Sequence, residues 1–111
     1  MLWDKFKDLS VYAPIYHNVM NEPDPPPSFV VLEDQTYDEP AAYGDGQVFL
    51  RKSIFNIRIH SLEHAKVMEL CERYRNQLKE DKFAFTQFGP TFDTESHYHS
   101  ILLTGSIYYG N

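Results

Sequence analysis

Apolar residues Leu2, Trp3, Phe6, Leu9 and Tyr12 recur at three- and four-residue steps, while Asp4, Lys5, Lys7 and Asp8 take the positions between them. That period predicts a short amphipathic helix over residues 1–13. It should stop at or before Ala13, because Pro14 disfavours helical geometry in the residue ahead of it. An extended piece over 15–20 follows. Residues 21–27 then contain four prolines. Their missing backbone donors predict a stiff connector that runs along an edge without entering a sheet interior.

Residues 28–33 and 48–60 are rich in β-formers and predict the two strands of a hairpin spanning 28–60. Between them, residues 34–47 hold Pro40 and the Gly44-Asp45-Gly46 triplet, which predicts a long acidic tip. In the second strand Phe55, Ile57 and Ile59 share one face and Asn56, Arg58 and His60 the other. Nearer the tip the pattern is reversed, with Val48, Leu50 and Ile54 alternating with Arg51 and Ser53. A bulge or bend near Lys52 or Ser53, or burial of both faces, would account for the switch. Ser61 is a candidate N-cap for a helix over 61–81, with apolar positions 62, 65, 68, 71, 74 and 78 and a Glu69/Arg73 pair four residues apart. Strands over 82–88 and 97–109 should follow, joined through Gly89-Pro90 and a polar turn at 93–96. The order predicts one α+β domain over 1–111. Its mixed or antiparallel sheet has four to five strands, a long helix on one face and a short N-terminal helix.

A chain of 111 residues with 42% hydrophobic and 15% aromatic content can fill one core and is not of disordered composition. No apolar run approaches the ~18 residues of a membrane span, and the first residues, MLWDKFKDLS, lack the basic and apolar regions of a signal peptide. A soluble protein made in the cytoplasm is the expectation. The single cysteine, Cys71, excludes an internal disulfide and a multi-thiolate metal site.

The net charge of −6 speaks against a phosphate-gripping surface. Residues 22–47 hold seven acids (Glu22, Asp24, Glu33, Asp34, Asp38, Glu39, Asp45) and no Lys or Arg, whereas the remainder holds nine acids and ten bases. The whole excess belongs to one segment.

Candidate chemistry is sparse. His97-x-His99 would place two imidazoles on one strand face, and His60 and His64 flank the start of the long helix, but no third ligand and no His-Glu-x-x-His pattern is present. Cys71 sits on the apolar stripe of the helix, where a thiol behaves as a small hydrophobe. Asp38 with Glu39, and Glu80 with Asp81, are neighbours along the chain, which does not bring two carboxylates into one cleft. No nucleophile elbow or phosphate-cradling glycine loop occurs. The expectation is no enzyme, no cofactor and no metal. Phe83, Phe85, Phe88, Phe92, Tyr98, Tyr108 and Tyr109 crowd the C-terminal part; about half should serve the core and the rest subunit contacts.

The layout as a whole is specific. It runs from the amphipathic start through Asn21-Glu-Pro-Asp-Pro into a strand, the acidic hairpin and Phe55-x-Ile-x-Ile59. One long helix follows, then Gly89-Pro-Thr-Phe-Asp-x-Glu-x-x-x-Tyr-His99 before the last strand. Over most of the chain this resembles the tail terminator, or tail completion, proteins of long-tailed phages and prophages.

The resemblance implies a structural subunit of the virion's tail–head junction, made in the host bacterial cytoplasm. It would form a ring, most simply a hexamer, on the last ring of tail-tube protein and dock the head-completion or connector protein. DNA would pass through without specific binding. Asp38, Glu39, Tyr43, Asp45, Tyr108 and Tyr109 are the expected interface or channel residues. Two other readings compete: an acidic immunity-type inhibitor that covers the basic site of a toxin or nuclease, and a small metal-dependent enzyme using His97 and His99.

Overall fold

The most β-prone run of the chain becomes the centre of the sheet. In a computed structural model, which describes the backbone over residues 2–41 and 48–109 and the side chains over 4–35 and 53–106, β3 (Val48–Ser61) pairs on both sides. On one side it meets β2 (Ser28–Ala41) in an antiparallel ladder unbroken from Ser28↔Ser61 to Ala41↔Val48. On the other it meets β5 (His99–Tyr109), which carries β4 (Ala84–Phe92) on its far edge. A three-residue strand, β1 (Ile15–His17), lies parallel to β2 and completes a five-stranded sheet in the order β1-β2-β3-β5-β4. Parallel neighbours need a crossover. The proline-rich connector supplies it, returning the chain from the end of β1 to the start of β2.

Helix α2 (His64–Glu80) packs on one face, and α1 (Leu2–Phe6) contributes Phe6 to the core. The chain is thus α+β with one mixed sheet, as its pattern predicts. The core joins Val30 and Leu32 of β2, Phe55, Ile57 and Ile59 of β3, and Ile101 and Leu103 of β5 to Val67, Leu70, Cys71, Tyr74 and Leu78 of α2. Each such side chain, fully buried, contributes about 1.5–3 kcal/mol. Phe6 is fully buried and stacks on Tyr74 at 5.1 Å.

Several expectations need correction. The helical stripe is 67, 70, 71, 74 and 78: the predicted positions 71, 74 and 78 are buried, whereas 67 and 70 take the place of 62, 65 and 68; Leu62 precedes α2 and is 45% exposed, and Met68 is 39% exposed. Steps of three alone drift around a helix of 3.6 residues per turn, and only a mixture of threes and fours stays on one face. Ser61 is the last residue of β3 and not the N-cap. Its Oγ accepts the Glu63 N–H at 3.1 Å and meets Ser28 Oγ at 2.8 Å, while Glu63 is the N-cap without a side-chain bond. The N-terminal helix is α-helical only to Phe6, and Lys7–Val11 tightens into a 3₁₀ turn.

The supposed tip over 34–47 is mostly strand. β2 continues to Ala41, so the connection shortens to residues 42–47, which lie outside the described residues. Pro40 is tolerated because of the direction of the backbone. Val30 donates its N–H to Pro14 O at 2.9 Å, and Asn18 donates to Leu32 O at 2.8 Å, so even-numbered positions of β2 turn their peptide groups away from β3. Proline at position 40 therefore removes no bond of the β2–β3 ladder.

No bulge interrupts β3 near Lys52 or Ser53; both of its registers run straight through. Ser53 is buried and Ile54 is 36% exposed, so the reversed pattern reflects what each face meets. The irregularity lies instead in β4, where the register shifts between Phe88 and Thr91. Gly89-Pro90 is therefore part of a strand and not of the connection. Gly89 has φ +102°, and a Cβ there would lie 2.8 Å from Ser100 O, which explains the glycine.

Candidate functional site

The sheet is longer than its cover. The buried apolar positions on the helix-side face end at Phe55 in β3 and Leu103 in β5 among the described residues, while β2 and β3 run on together to Ala41 and Val48. The radius of gyration, 16.0 Å, exceeds the ~13 Å of a compact domain of this length. The longest dimension is 54 Å against 27 and 26 Å. The part of the sheet built by 33–41, 48–54 and 104–109 is an arm.

Four of the expected interface residues lie on this arm. Register sets Asp38 opposite Arg51 and Arg51 opposite Tyr109, so one cross-strand row joins acid, base and tyrosine. Glu39 stands opposite Leu50, and Tyr108 opposite Lys52. Tyr43 and Asp45 lie outside the described residues. The acidic segment is thus partly answered within its own sheet: at the root of the arm, Arg58 Nε donates to Glu33 Oε1 at 2.6 Å. Opposite charges across strands support the pairing by about 0.2–1 kcal/mol.

The arm also has a bare edge. β1 pairs only with Val30, Val31 and Leu32, so residues 33–41 of β2 have no neighbour beyond them among the described residues. Among the described residues the other end of the sheet is bare as well, because β4 is its last strand. Where β1 stops, Asn18, Glu33, Asp34, Gln35, Ile54 and Asn56 line an open cleft of about 250 Å³.

The face away from α2 carries an aromatic group. Phe29 stacks on His60 at 4.8 Å, and Tyr16 and Tyr98 meet Phe29 edge-on at 6.1 and 5.5 Å. The Tyr98 hydroxyl donates to Pro26 O at 2.7 Å and pins the connector. Beside this group Arg58, His60, Phe88, Thr91, Ser100 and Leu102 line a shallow groove of about 180 Å³. His60 Nδ1 lies 2.7 Å from Ser100 Oγ. Burial, and then the nearby Arg58 cation, push the His60 pKa down, which keeps the ring neutral near pH 7. A serine–histidine nucleophile needs a third group to orient the imidazole. No carboxylate lines this groove.

The histidine pair is not arranged as its spacing predicts. His97 lies in the turn before β5, at φ 65°, and only His99 belongs to the strand. Both rings face Phe92, at 6.2 and 4.7 Å, and His99 meets His64 at 5.4 Å. Among the described residues no group of three or more His, Cys, Asp or Glu is placed to hold a metal ion. Cys71 is buried, and desolvation raises its thiol pKa, so it stays protonated. Among the described residues no helix is long and apolar enough to cross a membrane.

The C-terminal aromatics divide. Phe83 and Phe85 pack on the core and Tyr98 belongs to the aromatic group, whereas Phe88 and Phe92 of β4 are 55% and 50% exposed. The chain matches no protein-family model, and no curated protein matches it. The bare edges are the feature that sequence reasoning missed. Their signal was the combination of acids and Pro40 inside a strand-forming run, which are the residues that blunt exposed strands.

Proposed function

We propose that this chain is a structural subunit that closes into a ring. The specific reading is a tail terminator: a ring, most simply of six copies, that caps the tail tube of a long-tailed phage or prophage and joins it to the head. Its partners are further copies of itself, the tail-tube protein and the head-completion or connector protein, and DNA passes through without specific binding. The observation that carries the reading is the sheet that outruns its own cover. A chain that buries one end of its sheet under a helix and extends the other as an arm with a bare edge is built for contacts between subunits. The layout of motifs along the chain supports the assignment to tails. The −6 net charge suits a passage for DNA, since it repels phosphate.

The rival reading, bait for a basic toxin, is weakened by the arrangement of the acids. Bait needs unanswered negative charge, but Glu33 is engaged by Arg58 and Asp38 stands opposite Arg51.

Electron microscopy of tails assembled with and without the protein tests the proposal. Tubes of uniform length when it is present and uncontrolled length when it is missing are expected. Identical tubes in both cases would refute it.

A further inference from the structure

The two bare edges of the sheet match each other. Nine residues of β4, Ala84–Phe92, lie on one side, and nine residues of β2, 33–41, are left free by β1 on the other. Their directions also agree. β2 and β5 both run antiparallel to β3, and β4 runs antiparallel to β5, so β4 and β2 are opposed in direction. When one copy's sheet continues into the next, β4 therefore meets the neighbour's β2 in an antiparallel pair, the commoner arrangement.

Charge selects the same combination. The free part of β2 carries Glu33, Asp34, Asp38 and Glu39, so two copies joined through β2 would set acid against acid. β4 has no charged residue. Outward peptide groups at 34, 36 and 38 offer donors and acceptors, and Pro40 withdraws a donor only near the end. The cleft at Asn18 and Glu33 leaves room where the incoming strand would end.

The geometry points to a joint in which β4 of one copy adds to residues 33–41 of β2 of the next, head to tail. This rests on the ring reading and names its interface. The two edges are not level. Ala84 is level with Ser106, Ile54 and Gln35 within one copy, so pairing it with the neighbour's Ala41 requires a climb of six residues. That climb is about 20 Å along the strands for every four strands, or about 19 Å measured across them, which inclines the strands by roughly 45° to the ring axis. Closed barrels have strand tilts of about 35–45°. The stagger that joins the edges is therefore close to the one that closes a cylinder.

Disulfide trapping tests the joint in the full chain. Asp38→Cys with Gln87→Cys places one thiol on each edge in this register, and Glu39→Cys with Thr86→Cys, also ahead of the register shift in β4, is a second pair. Cys71 is 2% exposed and can stay. On oxidation in concentrated solution or on tail tubes, each double variant should give a covalent ladder that ends in one closed species. Its yield should be at least tenfold above that of the single variants or the unaltered chain. Efficient dimers from the single Asp38→Cys variant would overturn the proposal, because they mean like-to-like pairing. Rings visible by electron microscopy that neither pair links, nor Asp38→Cys with Phe85→Cys, would also overturn it while leaving the ring reading intact. No rings and no effect on tube length would remove both.

Discussion

One sheet, two halves: the half beneath α2 is made by side chains, and the arm is made by backbone. In the covered half Phe55, Ile57, Ile59 and Leu103 are fully buried against Leu70, Tyr74 and Leu78. In the arm the same two central strands keep their ladder from Asp34↔Phe55 to Ala41↔Val48, with no helix over them among the described residues. A ladder without a buried face is marginal in isolation. The contrast teaches that the stability of this fold and its assembly reside in different places, and substitutions should separate them.

The largest effect belongs to the covered half. Leu70→Ala removes a fully buried side chain from the helix–sheet seam and should cost about 2–5 kcal/mol. Ile54→Ala, at the root of the arm, should cost under about 1 kcal/mol. Urea unfolding of both variants measures the difference, and equal losses would break the comparison.

At the boundary sits Gly105. A Cβ there would collide with the Ala84 carbonyl oxygen and come within 2.7 Å of Phe55 Cζ. Gly105→Ala should therefore destabilise by about 1–3 kcal/mol, read from the same unfolding curves.

A smaller effect is expected at His60, on the open face. Its folded-state pKa is depressed, by burial first and by Arg58 second, so the unfolded chain binds the proton more readily. The associated stability is fully present above the ordinary histidine pKa of about 6.5 and is lost as pH falls through the lower folded-state value. Melting temperature should drop on going from neutral pH into that window, and His60→Gln should flatten the drop.

The smallest effect on folding should come from the arm's charges. Asp38→Asn with Glu39→Gln should change stability by less than about 0.5 kcal/mol and leave rings intact. Lysine at Asp38, Glu39 and Asp45 should still fold, with a loss of up to about 1 kcal/mol because like charge then stands opposite Arg51, yet impair genome delivery, since reversal turns repulsion of phosphate into attraction. Full infectivity of a phage carrying that triple variant would defeat the channel role of the segment.

Much of the covered half was legible in the chain, because burial writes itself as periodicity. Phe55-x-Ile-x-Ile59 marked the helix-side face of β3, and the Glu69/Arg73 pair forms, with Arg73 donating to Glu69 Oε1 at 3.3 Å. The arm was not legible. Pro40 and four acids look like loop chemistry until the direction of the backbone is known, and that direction is a property of strand register. The candidate site suffered in the same way. Asp38 and Glu39 were singled out for charge, but the cross-strand row that holds Asp38, Arg51 and Tyr109 is a property of register. His97 and His99 looked like neighbours on a strand, but His97 is itself left-handed and lies in the turn, so only His99 belongs to β5.

Amide hydrogen exchange along β2, in the free chain and in chain assembled on tail tubes, tests the central claim most directly. In the free chain Val30, bonded to Pro14 O, should be protected, whereas residues 34, 36 and 38, which face the bare edge, should exchange rapidly. On tubes those three amides should become protected together with those of β4. Protection in the free chain, or rapid exchange that persists after assembly, would contradict an arm whose edge is completed by the next copy.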